Sequence, residues 1–567
     1  MRPSFAALFA LCLALAACSD PATTATADGS ASAASPARDH LTIGITQYPS
    51  TLHPTIENMV AKSYVLGFSH RRLVRYGHDW ALECGTCETL PTIDNGLAVM
   101  ETTADGAPGM AVTWTLREGL FWGDGTPVTT EDFRLAWQIG QHPQSGAGAM
   151  EMWRSIIELE IVDERTMVAH ADKRTFQYNG PWPFVPIPAH LERTIFEDAP
   201  QEYINRTLYQ TDPTNPGLYQ GPYLVTETAR GSHVNLARNP HWTGPAPVFD
   251  TITVRAIERT TTLEANLLSG TLDMIAGDLG MNIDQALAFR KRHGDAYQLN
   301  FKPGLLYEHI DLNLDNPILA DRRVRQALMY AMDRELLVAQ LFDGEQPVAA
   351  ASVHPLDEMW SDAVPKYRHD PARAAELLDA AGWTLGADGV RHDTSGAPLQ
   401  LELSSTAGDK TRELVEQVLQ SQWRASGIDV RINNSAPRIF FGETTRQRTF
   451  PGMAMYAWSV TPENVPRTIL HSSEIPREAN NYSGQNYTGY VSPEMDALIE
   501  TIEAELDPEQ RRPLWARLQT LYATDLPVLP LYYRTNVDVL PTWLQGVRQP
   551  GHLISTSEWV EEWTVSE

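Results

Sequence analysis

VTWTLREGLFWGDGTPVTTEDFRLAW, Val112 to Trp137, is the stretch on which the reading of the fold turns. Val112, Trp114 and Leu116 alternate with Thr113, Thr115 and Arg117. That period of two marks a strand with one face buried. Gly119, Gly123, Asp124 and Gly125 then read as turn sequence. Thr129 or Thr130 caps a helix whose apolar face is Phe133, Ala136 and Trp137, and Glu131 and Asp132 place acids in its first turn, where the helix dipole favours them. Asp124, in its Gly-Asp-Gly turn, is expected to bond the local backbone rather than to do chemistry.

Outward from this unit the chain keeps alternating. Residues 41–45 open with a short strand, and residues 57–68 read as a helix. Residues 156–170 read as a hairpin through Asp163 and Glu164. Two strands surround Arg230 and Gly231, and residues 249–275 form a strand, a helix closed by Gly270 and a second strand, with Asp273 a structural cap. Residues 306–314 alternate as a central strand, and residues 322–340 carry a helical period in one run. Asp370 caps a helix begun by Pro371 and stopped by Gly382. Strands at 399–404 and 428–432 flank a helix at 412–426; an apolar strand at 451–458 and helices at 499–504 and 508–522 follow. This second half is strand-helix-strand, which is α/β.

The 567 residues exceed one ordinary domain. Apolar residues make up 43%, with 15 Trp and 15 Phe, enough for large cores. Charged residues are 20% with no long single-sign run, so the chain is globular rather than disordered. The net charge of −27 repels nucleic acid, and no basic face is visible to overcome it.

Met1 and Arg2 precede an apolar run of about 13 residues, too short to span a bilayer comfortably. Leu15-Ala16-Ala17-Cys18 ends it, a secretory signal by pattern. The tetrapeptide resembles the bacterial lipobox, in which the Cys becomes the lipidated first residue; the plainer reading is a signal peptide with an incidental Cys. By the sorting rule of the lipoproteins it resembles, Ser19 in place of Asp permits the outer membrane. Residues 19–37 are Ser, Ala, Thr, Pro and Asp with one Gly, a tether with a reach of ~25 Å. Of four cysteines, Cys84 and Cys87 form the only pair in the exported part. A CxxC is redox-active, half a zinc site, or a local disulfide. No second CxxC accompanies it, and it sits in loop-like sequence between Trp80 and Pro91, so a structural disulfide in an oxidising compartment is favoured.

LREGLFWGDGTPVTTEDF resembles the block tLRdgvkWsDGtPvTaeDv of the family 5 bacterial extracellular solute-binding proteins, the oligopeptide- and dipeptide-binding subunits of ABC importers. Thr51-Leu52-His53-Pro54, Gly221-Pro222-Tyr223, Asp321 to Leu328, Ala331 to Arg334 and Leu526 to Tyr533 match further blocks, so the resemblance runs from about residue 41 to about 550. It implies a two-lobed α/β periplasmic-binding-protein fold, the Venus flytrap, with an extra β-rich subdomain in the first lobe. The implied division is a lipoprotein signal over 1–18, a tether over 19–40, first-lobe segments at 41–78 and 201–300, the β-rich subdomain at 79–200, the second lobe at 301–525 and a return to the first over 526–567.

The resemblance also implies a binding role. The protein is expected to be a monomer, anchored in the cell envelope through Cys18, that takes a peptide or peptide-like ligand and closes over it by hinge motion. An ABC permease and a separate ATPase are the implied partners. No cofactor is implied. Peptide-binding members offer an aspartate to the peptide amine; here Tyr456-Ala457-Trp458-Ser459-Val460-Thr461-Pro462-Glu463 has Val460 or Thr461 in its place. A buried ammonium without a carboxylate is costly, so either Glu463 serves or the ligand has no amine there. Tyr456, Trp458 and Tyr307 are candidate walls. Arg438, Arg446 and Arg448 are candidate partners of a ligand carboxylate, and Glu57 and Asn58 candidate contacts from the first lobe. Each has a plainer reading: core packing for the aromatics, surface exposure for the charges.

No GxSxG, HExxH or Walker A sequence occurs, and Gly146-Ala147-Gly148 lacks a third glycine. An enzyme is not expected. The other readings are a lipoprotein scaffold or chaperone-like binder without import, and a receptor for an opine, a metal complex or haem.

Overall fold

The computed structural model describes residues 38–566 other than Asn58, Ala149, residues 181–183, Val460, Glu463 and Leu553. The expected signal, nearly all of the expected tether, and Cys18 therefore lie outside the described residues. No helix among the described residues is long and apolar enough to cross a membrane.

Two long antiparallel strands, Tyr297–Leu312 and Val528–Pro541, carry the molecule. They pair from Tyr297 opposite Pro541 to Asp311 opposite Val528, with the register shifting between Pro303 and Tyr307. Proline brings no amide hydrogen to a ladder, so the break falls where the sequence weakens it. Around this pair lies a sheet of ten strands. Beyond Val539 come Met274–Ile275, His40–Ile45, Thr251–Ala256, His233–Arg238 and Tyr223–Ala229, the sheet of the first lobe. Beyond Leu306–Leu312 come Met453–Ser459, Gln400–Ser404 and Asp429–Ile432, the sheet of the second. The fold is thus α/β with two lobes joined by crossing strands. Close to the break, fully buried Glu308 is held by Arg412 at 2.7 Å and Arg534 at 2.6 Å.

In the first lobe, Leu41, Ile43, Val234, Leu236, Ile252 and Val254 build the core under the helix Val60–Ser69. The C-terminal 3₁₀ turn Thr556–Glu562 closes on that helix, with the Ser557 hydroxyl donating to the Tyr64 carbonyl at 2.6 Å. A Cβ on Gly67 would fall 2.1 Å from Ser557 Oγ, so the close approach requires glycine. The helix starts at Val60, later than the sequence suggests, because Glu57 turns the chain with φ of +57°.

The opening stretch builds a separate antiparallel sheet of four strands, in the order Ala98–Thr102, Pro108–Thr115, Thr166–Ala171, Ile156–Ile161. Val112, Trp114 and Leu116 are buried as their alternation requires, and the helix Thr130–Gln141 packs Phe133, Ala136 and Ile139 into the same core. Asp132 locks strand, turn and helix together. It accepts the Thr129 N–H at 2.8 Å, the Ala189 N–H at 2.7 Å and the Trp122 indole N–H at 3.2 Å. Burial pushes its carboxyl up to about 6 against these bonds. Asp124 accepts the Thr126 N–H at 2.9 Å and meets His190 at 2.8 Å. Cys84 and Cys87 are joined by a disulfide.

In the second lobe the single helical run expected over 322–340 is two helices, Arg322–Ala331 and Arg334–Phe342. Met332 is extended, and the Asp333 carboxylate accepts the Leu336 N–H at 2.9 Å, which restarts the helix. A second core of this lobe gathers around the helices Pro493–Ala504 and Pro508–Asp525.

Candidate functional site: a cleft at Trp458

The strand Met453–Ser459 is antiparallel to the crossing strand on one side, from Leu312 opposite Met453 to Leu306 opposite Ser459. On its other side Gln400–Ser404 pairs it only at Met453 and Ala454. From Met455 onward that edge has no strand partner among the described residues. Burial falls along the strand: Tyr456 is buried, Trp458 half-buried and Ser459 exposed. Trp458 thereby reaches a small cleft, with a cavity of about 30 Å³, whose walls include Trp80, Leu305, His354, Asp357, Thr461 and Trp515.

These walls come from both lobes. Trp80 sits at the turn between the strands Val74–Tyr76 and Leu82–Cys84 with φ of +68°, a conformation that costs an ordinary residue about 1–2 kcal/mol. Its indole N–H donates to the Pro550 carbonyl at 2.8 Å, and its ring stacks on His354 with centroids 4.8 Å apart and planes 27° apart. His354 also meets the edge of Tyr533 at 4.6 Å. The Leu356 N–H donates to His354 Nδ1 at 3.0 Å, which puts the imidazole proton on Nε2. Burial pulls the His354 pKa down to about 4, and the charge of Lys302 adds to this. The ring is therefore neutral. Its Nε2 and the indole Nε1 of Trp515 are buried, and neither has a hydrogen-bond partner among the described residues. Asp357 accepts the Met359 N–H at 2.8 Å. No lysine or arginine is among the residues of this wall.

Among the residues singled out from sequence, Trp458 lines this cleft, as does Thr461. Tyr456 and Tyr307 lie in the core beneath it: the Tyr456 hydroxyl donates to Asp311 at 2.5 Å, and that of Tyr307 meets Tyr522 at 3.0 Å. Arg438 and Arg446 are exposed and away from these walls. Arg448 is bound to Asp315 at 2.7 Å and to the Tyr487 carbonyl at 2.9 Å. Glu57 is exposed, with the Ser50 hydroxyl on its carboxylate. Asn58 and Glu463 lie outside the described residues. Trp80, His354 and Trp515 are brought in by tertiary structure; the sequence signals aromatic residues there and nothing of their convergence. A wider groove of about 760 Å³ lies on the hinge side, lined by Asn282, Asp284, Lys410 and Arg534 among others, and its Arg534 is already committed to Glu308.

Residues 97–476 match the family model for bacterial extracellular solute-binding proteins, family 5 Middle. The chain is 25% identical over 536 residues to the oligopeptide-binding protein OppA of Bacillus subtilis (strain 168), with 90% of each chain covered. An oligopeptide-binding protein from Thermus thermophilus, solved with a pentapeptide, superimposes with a TM-score of 0.66 at 25% identity, covering 93% of this chain and 96% of that one. NikA from Brucella suis, solved with Fe(III)-EDTA, shares the fold with a TM-score of 0.72 at 21% identity, covering 93% of this chain and 100% of that one. The crossing strands, the two lobes and the match across most of the chain agree: the protein belongs to the bacterial extracellular solute-binding proteins, family 5, which are binding proteins rather than enzymes.

Proposed function

We propose that the protein captures peptides or peptide-like solutes in the periplasm and hands them to the permease of an ABC importer. The observation that carries this reading is the outer end of the strand at Trp458 and Ser459, which among the described residues has no strand neighbour on its second edge and borders the cleft. A free strand edge offers backbone donors and acceptors in the register of an extended peptide, and side pockets beside it accept side chains. Two of the proteins named above, from Bacillus subtilis and Thermus thermophilus, are oligopeptide-binding proteins, which supports the same reading. Ligand binding would draw the lobes together only by its preference for the closed form. Cys18, as the lipidated first residue, would keep the body at the membrane and near its permease.

Native mass spectrometry of the protein purified without refolding tests the ligand class. The expected result is a ladder of co-purifying peptide masses, and Trp458→Ala should cut their retention about tenfold, the loss of one aromatic wall. A single non-peptide mass counts against peptides, and unchanged retention in Trp458→Ala counts against the cleft.

A further inference from the structure

The groove on the hinge side is large enough for a ligand. Its cavity of about 760 Å³ falls within the roughly 300–1,000 Å³ of ligand pockets. Asn282 and Asp284 line it from the first lobe and Lys410 and Thr411 from the second, over Leu306 and Tyr532 of the crossing strands. It reaches the outer end of the strand at Trp458, because Leu306 pairs with Ser459. The strand Gln400–Ser404 leaves the second edge of that strand after Ala454. The Ser405 hydroxyl still donates to the Met455 carbonyl at 2.8 Å; the chain then turns aside to Ser435, and the helix Lys410–Ala425 begins.

The charges of the groove are nearly all committed. Two contacts, at 2.6 and 2.7 Å, hold the Arg534 guanidinium on Glu308. Asp284 accepts the Thr411 hydroxyl at 2.7 Å, and Asp409 accepts the Arg412 N–H at 3.2 Å. Lys410 is exposed and has no hydrogen bond or ion pair among the described residues. Arg438, Arg446 and Arg448, expected from sequence to meet a ligand carboxylate, do not line this groove.

We propose that Lys410 pairs with a carboxylate of the ligand in this groove, and so selects solutes that carry a free carboxyl end. The inference rests on the reading of the protein as a receptor for peptide-like solutes and deepens it. An extended chain laid along the free strand end at Trp458 and Ser459 runs on towards the groove, where Lys410 is the uncommitted charge. An ammonium–carboxylate pair is stronger than a neutral hydrogen bond, and it strengthens further as closing lobes exclude water. With the other charges of the groove engaged, Lys410 serves one carboxylate rather than several.

The test uses the full chain and two probes: a tetrapeptide pool free of Asp and Glu, with free ends, and the same pool C-amidated. Retention is read by native mass spectrometry, with thermal melting as a control for folding. The unmodified chain should retain the free pool about tenfold better than the amidated one, the effect of one charged pair. Lys410→Gln should hold both pools alike, at the level of the amidated pool on the unmodified chain. Lys410→Arg, which keeps the charge, should restore most of the preference. Lys410 is exposed, so all three chains should melt alike. Equal retention of the two pools by the unmodified chain overturns the inference and leaves the receptor reading intact. So does a preference that survives in Lys410→Gln, or a loss in that variant that falls equally on both pools, which marks a structural role. Retention of neither pool by the unmodified chain overturns the peptide reading itself, and this inference with it.

Discussion

Lys62 shows how a single buried charge can shape a first-lobe loop. Its ammonium donates to the carbonyls of His53 at 3.1 Å, Pro54 at 3.0 Å, Ile56 at 2.8 Å and Glu57 at 2.5 Å. Burial, with help from Arg72 and against Glu57, pulls its pKa down to about 8. Lys62→Met strands these carbonyls, while removing a buried charge offsets part of the loss. The expected net destabilisation is about 1–3 kcal/mol in urea titration; a variant as stable as the parent would show that the loop holds itself. Histidines set the pH response. Burial pulls His70 down to about 3 and His354 and His552 to about 4, against an ordinary value of 6.5. On acidification the unfolded chain takes up these protons first. Stability is therefore fully present above pH 6.5 and falls between 6.5 and 4, by up to about 1.4 kcal/mol per pH unit for each histidine. Asp132, raised to about 6, works in the opposite direction and offsets roughly one of them. The urea midpoint should drop between about pH 7 and pH 5, and His552→Gln should flatten that drop. A midpoint that rises on acidification would contradict the assignment.

At the scale of elements, the hairpin of Val74–Tyr76 and Leu82–Cys84 is a small mount for Trp80. It is tied at one end by the Cys84–Cys87 disulfide and at the turn by His552, whose Nε2–H donates to the Gly77 carbonyl at 3.0 Å. The disulfide closes a very short loop, so its loss should cost no more than about 2 kcal/mol. Cys84→Ser with Cys87→Ser should therefore fold, melt a few degrees lower, and bind more weakly because Trp80 is less well held. A melting point lowered by tens of degrees would mean that the bridge organises far more than this hairpin. Elements were largely legible in the sequence. The strand at Val112, the capped helix after it and the helix begun by Pro371 follow from period and punctuation alone. Depth was not legible. Tyr456 and Trp458 are two residues apart and share a face of one strand, so periodicity treats them alike. Yet the strand runs outward from the core, and only Trp458 reaches the cleft. The continuous helix expected through Met332 and Asp333 failed for a local reason, since Met332 is extended and the Asp333 carboxylate caps a new helix.

At the scale of the whole molecule, the binding site depends on how two lobes meet, which no window of sequence records. Trp80, His354 and Trp515 are each more than 150 positions from the next, and the crossing strands bring them together. A second contact between the lobes lies outside the cleft. Phe176, which follows the strand Thr166–Ala171 of the β-rich part, is buried among Met495, Trp515 and Leu518 of the second lobe, with the Arg511 guanidinium 4.3 Å above its ring. A buried phenylalanine side chain is worth about 1.5–3 kcal/mol and a cation–π contact about 0.5–1 kcal/mol more. Phe176 does not itself line the Trp458 cleft but shares a buried cluster with Trp515, which does, so the ligand-free radius is what separates an effect on closure from one passed through Trp515. Phe176→Ala should enlarge the radius of gyration of the ligand-free protein in solution scattering. Affinity should weaken about threefold to tenfold, because the closed, binding-competent form becomes a smaller fraction of the whole. Saturating ligand should return the radius of gyration to that of the liganded parent. If affinity falls while the ligand-free radius stays that of the parent, Phe176 acts on the ligand rather than on closure. If neither changes, the lobes are held together by the crossing strands alone, and the contact at Arg511 contributes nothing to capture.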